Sequence, residues 1–511
     1  MKKYIKYLLA ILFLPLAFSC SDFLEEEVFD MKTSNNFWQK PEDAELAMVG
    51  TYKYLADTYR QSLIEMLTQN SGAFNKRKAS TVWISGSYTS ATKEIYQTWE
   101  GFFRLIDKSN DVIANVSKMD VLTDEEKSAI IGEARFLRGW SYFMLVRMYT
   151  KAPIKLEPTT GFDNAYAPLS TADEIYSTVI IPDFEYAFNN CLAKQPASNT
   201  GRITKGAAAA ALAKVHLTIA GNTSGSEHWK EARDWAKWVI DNGGYSLVND
   251  FSQLWGTKNT SESVFEVQFL RGVLTGSGYS KIFTPAKSGW SAKGGGWGRS
   301  TCTQKNYDDF AKQYKGDYRI DVTFTASYND IRNGKSIPVY PTKKYNKKQN
   351  SWPYIAKWKD PDAPDNFAAD NNFIVIRYAD VLLMFAEAEN EVNGPTGEAY
   401  DAIDQILARA RAADGTEREV PANWTRDLSQ KDFSEKVWNE RRYELCAEQH
   451  LWFDLVRKGK DKFIAFKEAD NAHGYKLIDH GVYAKNMYFP IPTLEISSNP
   501  MISVEEQNEG Y

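Results

Sequence analysis

Three short stretches set carboxylates beside arginines at spacings that could do chemistry. Arg377 and Asp380 lie in IVIRYADVLLMFAEAENEVNG, Glu133, Arg135 and Arg138 in EARFLRGW, and Glu440, Arg441, Arg442 and Glu444 in ERRYELCAEQH. Two carboxyl groups flanking a glycosidic bond are the machinery of glycoside hydrolysis. Here the acids alternate with arginines inside segments that otherwise read as strongly apolar helices. Charges in such a setting need partners, and an Arg–carboxylate network joining neighbouring helices supplies them. The expectation is a structural ion network of Arg377, Asp380, Glu133, Arg135, Glu440 and Arg441, with no catalytic residue.

Other reactive patterns are missing from the sequence. The five histidines, His216, His228, His450, His473 and His480, form no HExxH and no i,i+4 pair. Gly294-Gly295-Gly296 lacks the strand-to-helix setting of a phosphate loop, and no serine nucleophile elbow occurs. Of four cysteines, Cys20 closes an N-terminal leader; Cys191, Cys302 and Cys446 are widely separated, without CxxC spacing. They read as small buried thiols, with neither a zinc site nor a disulfide framework. No metal and no cofactor is expected. The net charge of -5 argues against a nucleic acid partner.

The elements that must position these residues are mostly helical. Segment 374–394 carries apolar faces on most of its circumference, a narrow polar stripe and a Gly394-Pro395 stop, so it reads as the central helix of a layered array. Helices are also expected at 41–59, 93–118, 124–149, 171–191, 204–220 and 229–242, and again at 399–412 and 432–450. Thr123 with Glu126 forms a capping box. Helix pairs with small residues at their crossings, such as the five alanines 207–211, are the signature of a tetratricopeptide-like solenoid. Between 245 and 372 helical periodicity disappears; 263–270 reads as a short strand and 272–299 is rich in Gly and Ser. The fold class expected is mainly α: a helical-pair solenoid with a loop-rich, little-β second half packed on it.

The first 19 residues form a secretory signal peptide. Lys2, Lys3 and Lys6 precede an apolar run at 7–18, too short for a comfortable membrane span. The run ends Leu16-Ala17-Phe18-Ser19-Cys20, which resembles a bacterial lipoprotein box, with Ala17 where Leu is usual. Cys20 is the expected lipidation site. The acidic run Asp22 to Glu27 behind it resembles a surface-export signal and forms part of a tether at 20–40.

Six pieces then resemble one family, in its order and across the whole chain. They are CSDFL from Cys20, WEGFFRLIDKSN at 99–110, EARFLRGWSYFMLVRMYTKAP at 133–153, IRYADVLLMFAEAE at 376–389, ERRYELCAEQHLWFDLVR at 440–457, and 487–511 with its FPIP and terminal NEGY. The chain resembles the SusD/RagB nutrient-binding outer-membrane lipoproteins of Bacteroidetes. That resemblance implies an N-terminal SusD-like helical region at 41–245 and a C-terminal SusD/RagB region at 246–511, the latter loop-rich at 246–373, helical at 374–460 and irregular at 461–511. It also implies a protein anchored by lipid in the outer membrane and exposed at the cell surface. There it would bind an oligo- or polysaccharide (less often a peptide) and act as the lid of a SusC-like, TonB-dependent barrel.

Sugar rings stack their C–H faces on exposed aromatic planes while polar side chains bond the hydroxyls. Aromatic residues make up 14% of this chain, enough to furnish such a surface as well as a core. Loop placement selects Trp83, Tyr88, Trp290 and Trp297 as candidate ligand contacts, with Asn75, Arg77 and Arg299 as polar partners and Trp352 and Trp358 behind them. Two other classes stay open on sequence grounds: a secreted glycoside hydrolase, and a tetratricopeptide-type scaffold for protein or peptide partners.

Overall fold

The computed structural model describes residues 37–60, 62–75, 81–272, 276–291, 295–343, 351–363, 367–413, 415–472 and 481–511. Cys20, most of the tether and Arg77 lie outside them. The N-terminal helices of eight or more residues are α1 (Pro41–Tyr59), α2 (Ser62–Gln69), α3 (Lys93–Val116), α4 (Asp124–Tyr149), α5 (Ile181–Asn190), α6 (Lys205–Ala220) and α7 (His228–Asn242). After the loop-rich region come α8 (Tyr378–Asn393), α9 (Gly397–Arg411), α10 (Gln430–Glu444), α11 (Leu451–Arg457) and α12 (Lys460–Asn471).

Local sequence explains the helix starts. Thr123 accepts from the Glu126 N–H while Glu126 reaches back to the Thr123 N–H, so the capping box at the head of α4 forms. Thr204 caps α6 in the same sense. The helices then pack in series: α1 on α3, α3 on α4, α4 on α5, α5 on α6, α6 on α7, α7 on α8, and α8 on both α9 and α10. Ala207, Ala208, Ala209, Ala210 and Ala211 are buried, and their small side chains let α6 lie close to both neighbours. The expected mainly-α array is present, with α8 linking its two halves.

The expected helix start at 374 is corrected. Phe373–Arg377 is a strand, β2, which pairs antiparallel with β1 (Ser263–Val267), placing Phe373 opposite Val267 and Arg377 opposite Ser263. The run Ile374-Val375-Ile376 is β-branched and buried, so the sheet side of an ambiguous apolar run wins. Helix α8 begins at Tyr378, with Arg377 as its cap residue in extended conformation. Arg377 and Asp380 therefore do not lie one turn apart on one helix.

The segment expected at 432–450 also divides. It stops at Glu444, and Ala447 and Gln449 take left-handed backbone before α11 starts. Segment 461–471, expected to be irregular, belongs to helix α12. Short helices at Tyr279–Phe283, Gln304–Gln313 and Tyr318–Thr323 interrupt the loop-rich region. The C-terminal residues close onto the array: the Phe489 N–H donates to Met148 O at 2.7 Å, and Asn508 Nδ2 donates to Tyr149 O at 2.8 Å. The terminal NEGY thus satisfies a carbonyl at the end of α4.

Candidate functional site

The charged motif residues pack inward. Arg377 donates from Nη1 to Glu262 and Glu444, both at 2.6 Å, and from Nε to Glu448 at 2.7 Å. Asp380 accepts from Lys214 at 2.6 Å and from Arg441 at 3.0 Å. Arg441 also reaches Asp454, and Arg457 ties Asp454 to Glu387 at 2.8 and 2.7 Å. Glu440 and Glu444 share Arg319, which Asp317 also holds. These groups are all buried. Glu133 belongs to a separate cluster: it accepts a fork from Arg202 at 2.7 and 2.9 Å and the Tyr52 hydroxyl at 2.7 Å. Arg135 is the exception. It is partly exposed, lies 3.9 Å from Asp183 and rests on the Tyr186 ring, so it is peripheral to any network. Sequence reading missed Lys214, Glu262, Arg319, Arg202 and Lys357 (which donates to Glu448 at 2.8 Å); they come from distant segments and carry no local signature.

Electrostatically, one feature of this cluster resembles an acid–base pair. Burial pushes Glu440 up, while the cations Arg409, Arg377 and Arg319 outweigh burial and hold Glu444 well below the usual carboxylate range. A glycosidase would need both to face a substrate, but both side chains are sealed at 0% exposure. A hollow of 20 Å³ lined by Arg441, His450 and Asp454 lies nearby, space for about one water and far too small for a sugar ring.

The predicted ligand aromatics separate into two groups. Trp83 and Tyr88 are core residues, 3% and 1% exposed, and this corrects their assignment to an exposed loop. Trp83 packs on Tyr88 at 5.2 Å and both touch Phe489; Tyr511 stacks on Tyr88 at 5.9 Å. The chain terminus covers what looks from the local sequence like a loop. Asn75 is buried as well, on a short ladder that sets Phe74–Asn75 against Thr301–Cys302. Trp352 and Trp358 are buried, the latter against Tyr279, Phe283 and Phe373.

Trp290, Trp297 and Arg299 remain at the surface, each partly exposed. One helical turn, Tyr279–Phe283, holds all three. Ser280 Oγ donates to Trp290 O at 3.1 Å, the Trp297 N–H to Lys281 O at 2.7 Å, and the Arg299 N–H to Ile282 O at 2.8 Å. Cations rest on both indoles: Lys359 Nζ lies 4.0 Å from the Trp290 ring centre, and Lys281 Nζ and the Arg299 guanidinium lie 3.9 and 3.7 Å from that of Trp297. Phe367 meets Trp297 edge-on at 5.3 Å and accepts from Arg60 at its carbonyl; Tyr328 lies beside Trp290. Lys359 also borders a polar hollow of 260 Å³ that Arg271, Asp360, Asp370 and Asn372 line. Aromatic planes beside cations, amides and carboxylates are the chemistry that stacks on a ring and bonds its hydroxyls. Arg60, Tyr328, Lys359 and Phe367 escaped the sequence reading, because only the tertiary fold brings them to this face. Among the described residues no group of three or more metal-ligating side chains could hold a metal ion, and no helix is long and apolar enough to cross a membrane.

Comparison with known proteins decides the family. A family model described as "Starch-binding associating with outer membrane" matches residues 22–217, and one described as "SusD family" matches residues 261–511. The chain belongs to the SusD/RagB family. It is 27% identical to SusD-like protein P25 of Formosa agariphila over 532 residues, covering 97% of each chain. A SusD superfamily crystal structure from Parabacteroides distasonis superposes with TM-score 0.76 at 26% identity, covering 94% of this chain and 100% of that one. A laminarin-binding SusD-like protein shares the fold with TM-score 0.71 at 21% identity, covering 93% of this chain and 100% of that one. The SusD assignment agrees with the mainly-α array, and the six motif segments of the sequence lie within the two matched regions save for Cys20 and Ser21.

Proposed function

We propose that the protein is a non-catalytic cell-surface lipoprotein of the outer membrane. It captures an oligo- or polysaccharide and delivers it to a SusC-like, TonB-dependent barrel. The observation that carries the ligand class is the face built on Tyr279–Phe283, where two partly exposed indoles stand beside Arg299 and Lys359, and Phe367 brings Arg60 to the same face. Most other tryptophans in the described residues are buried and serve the core. The family description as starch-binding and associating with the outer membrane supports both the ligand class and the location. That this fold holds a glycan in the laminarin-binding neighbour supports the same reading. Outer-membrane attachment through Cys20 and delivery to a barrel rest on the resemblance of the leader and of the whole chain to this family.

The charged clusters support a role without chemistry, because the carboxylates that could serve as acid and base are sealed inside ion networks. The test is a glycan array probed with protein starting at Ser21, followed by incubation with the best binders. Retention without new reducing ends is the expected result. New reducing ends would establish the glycosidase instead, and retention of peptides with no glycan would establish the scaffold.

A further inference from the structure

Arg147 stands apart from the other buried arginines. It lies near the end of α4, only 9% exposed, with its guanidinium between Phe143 and Phe453 at 3.9 and 3.8 Å from the ring centres. Arg138, Arg202, Arg319, Arg377, Arg409, Arg441 and Arg457 each hold a carboxylate. Arg147 holds none among the described residues. Its Nε donates to Phe143 O at 3.4 Å and one Nη faces the Met144 sulfur at 2.8 Å. The other Nη makes no hydrogen bond there.

Arg147 borders a cavity of 230 Å³, several times the ~30 Å³ share of one water. Tyr176 and Tyr488 line the same cavity, and their hydroxyls make no hydrogen bond among the described residues. Thr150 and Thr218 line it too, with hydroxyls already spent on Asn508 and Lys214. Arg457 is committed to Glu387 and Asp454, and Asp173 is the acid on the cavity's exposed side. Three unused donors thus converge where one is a cation, and a buried guanidinium without a counterion is costly. Burial pushes its pKa down to about 10, which leaves it charged at neutral pH.

We propose that this cavity is a binding site for a small oxyanion, a carboxylate or sulfate group of the kind acidic sugars carry. Arg147 supplies the charge, and Tyr176 and Tyr488 supply two further donors. The site rests on its own geometry; its use on a captured glycan rests on the function proposed above.

The test is calorimetry and thermal melting of the protein from Ser21 with sodium D-glucuronate, sodium sulfate, D-glucose and sodium chloride at matched ionic strength. Glucuronate, sulfate or both should bind and raise the melting temperature above the chloride control, while glucose should not act here. Response to glucuronate alone names a carboxylate, and response to sulfate alone names a sulfate ester. Arg147→Met keeps an unbranched stem to pack beside Phe143 and Phe453 and removes the charge; it should weaken the anion about tenfold or more, the worth of a charged hydrogen bond. The double variant Tyr176→Phe/Tyr488→Phe keeps the cation and should bind several-fold more weakly. The proposal is overturned if neither anion exceeds chloride, or if Arg147→Met binds like the parent. Should Arg147→Met fail to fold, parent-like binding by the double tyrosine variant overturns it. Neutral glycan retention at the Trp290–Trp297 face is scored separately, so failure there leaves the two readings distinguishable.

Discussion

Lys214 of α6 donates to Asp380 of α8 across 2.6 Å, with both side chains buried. The second carboxylate oxygen takes Arg441 of α10 at 3.0 Å. One acid therefore joins an N-terminal helix, the central helix and a C-terminal helix in a single contact. The opposing cations outweigh burial, and the Asp380 carboxyl is held far below its ordinary range. A charge this fully paired is a fastener between the two halves of the chain.

Replacing that acid should cost stability and leave function alone in whatever folds. Asp380→Ala strands Lys214 and Arg441 in the interior, which costs roughly 3 to 5 kcal/mol. Chemical denaturation should show the loss, and glycan binding by the folded fraction should match the parent. A variant that melts like the parent yet no longer binds would place a ligand site at Asp380.

Acid should act in two stages. His450 lies 3.9 Å from Asp380, with Lys214 and Arg441 close by, and burial pushes it from 6.5 down to about 4. Between those values the unfolded chain takes up a proton that the folded chain refuses, so stability is full above the upper value and falls as pH drops towards the lower. The shift corresponds to about 3 kcal/mol at 1.36 kcal/mol per unit. His216, likewise pushed down to about 4 by burial beside His228, adds to the same limb. Below that, Asp380, Glu387, Glu444, Glu448 and Asp454 take up protons and lose their paired form. Melting temperatures of His450→Gln across pH 7 to 4 should fall less steeply than the parent's; an identical slope would show that His450 is not titrating in this way.

Much of this architecture was legible locally, and the failures have a common cause. The helices at 93–118, 124–149 and 204–220 follow from apolar spacing, and Thr123 and Thr204 mark their starts. The Ile374-Val375-Ile376 run misled because a short apolar stretch satisfies strand and helix alike until β1 is there to pair with it. Trp83 and Tyr88 misled because Phe489 and Tyr511, roughly 400 residues later, cover them. The network was legible as a need for partners, since buried arginines and acids must pair. Which partners, such as Glu262 and Lys214, depended on contacts that no sequence spacing encodes. Trp290 and Trp297 stayed at the surface, as their Gly/Ser-rich surroundings led one to expect.

The leader makes a localisation claim that is separate from binding. Cys20→Ala should leave the protein unlipidated and free in the periplasm, because a single weak contact cannot replace acyl chains that hold at about 0.8 kcal/mol per buried CH₂. Fractionation in a strain lacking the proposed SusC-like barrel checks this. If the Cys20→Ala protein still sediments with outer membranes there, Cys20 is not the anchor.

The aromatic face gives the most direct prediction. Trp290→Ala and Trp297→Ala should each weaken the best array glycan by more than about tenfold, since truncating a stacking anchor costs on the order of 2 kcal/mol. Both indoles are only half-buried, and the contacts to Ser280 and Lys281 use the tryptophans' own backbone carbonyl and N–H, which alanine preserves. Melting temperatures should therefore stay near the parent's. Trp83→Ala is the control: its side chain is sealed against Tyr88 and Phe489, so it should lose about 3 to 5 kcal/mol of stability. Lys359→Ala and Arg299→Ala test the cations resting on the two rings and should act in the same direction as the tryptophan variants, more weakly. Calorimetry on folded variants reads the outcome. If Trp290→Ala and Trp297→Ala both bind as the parent does, this face does not hold the glycan, and the 260 Å³ hollow lined by Arg271, Asp360 and Asp370 becomes the place to mutate next.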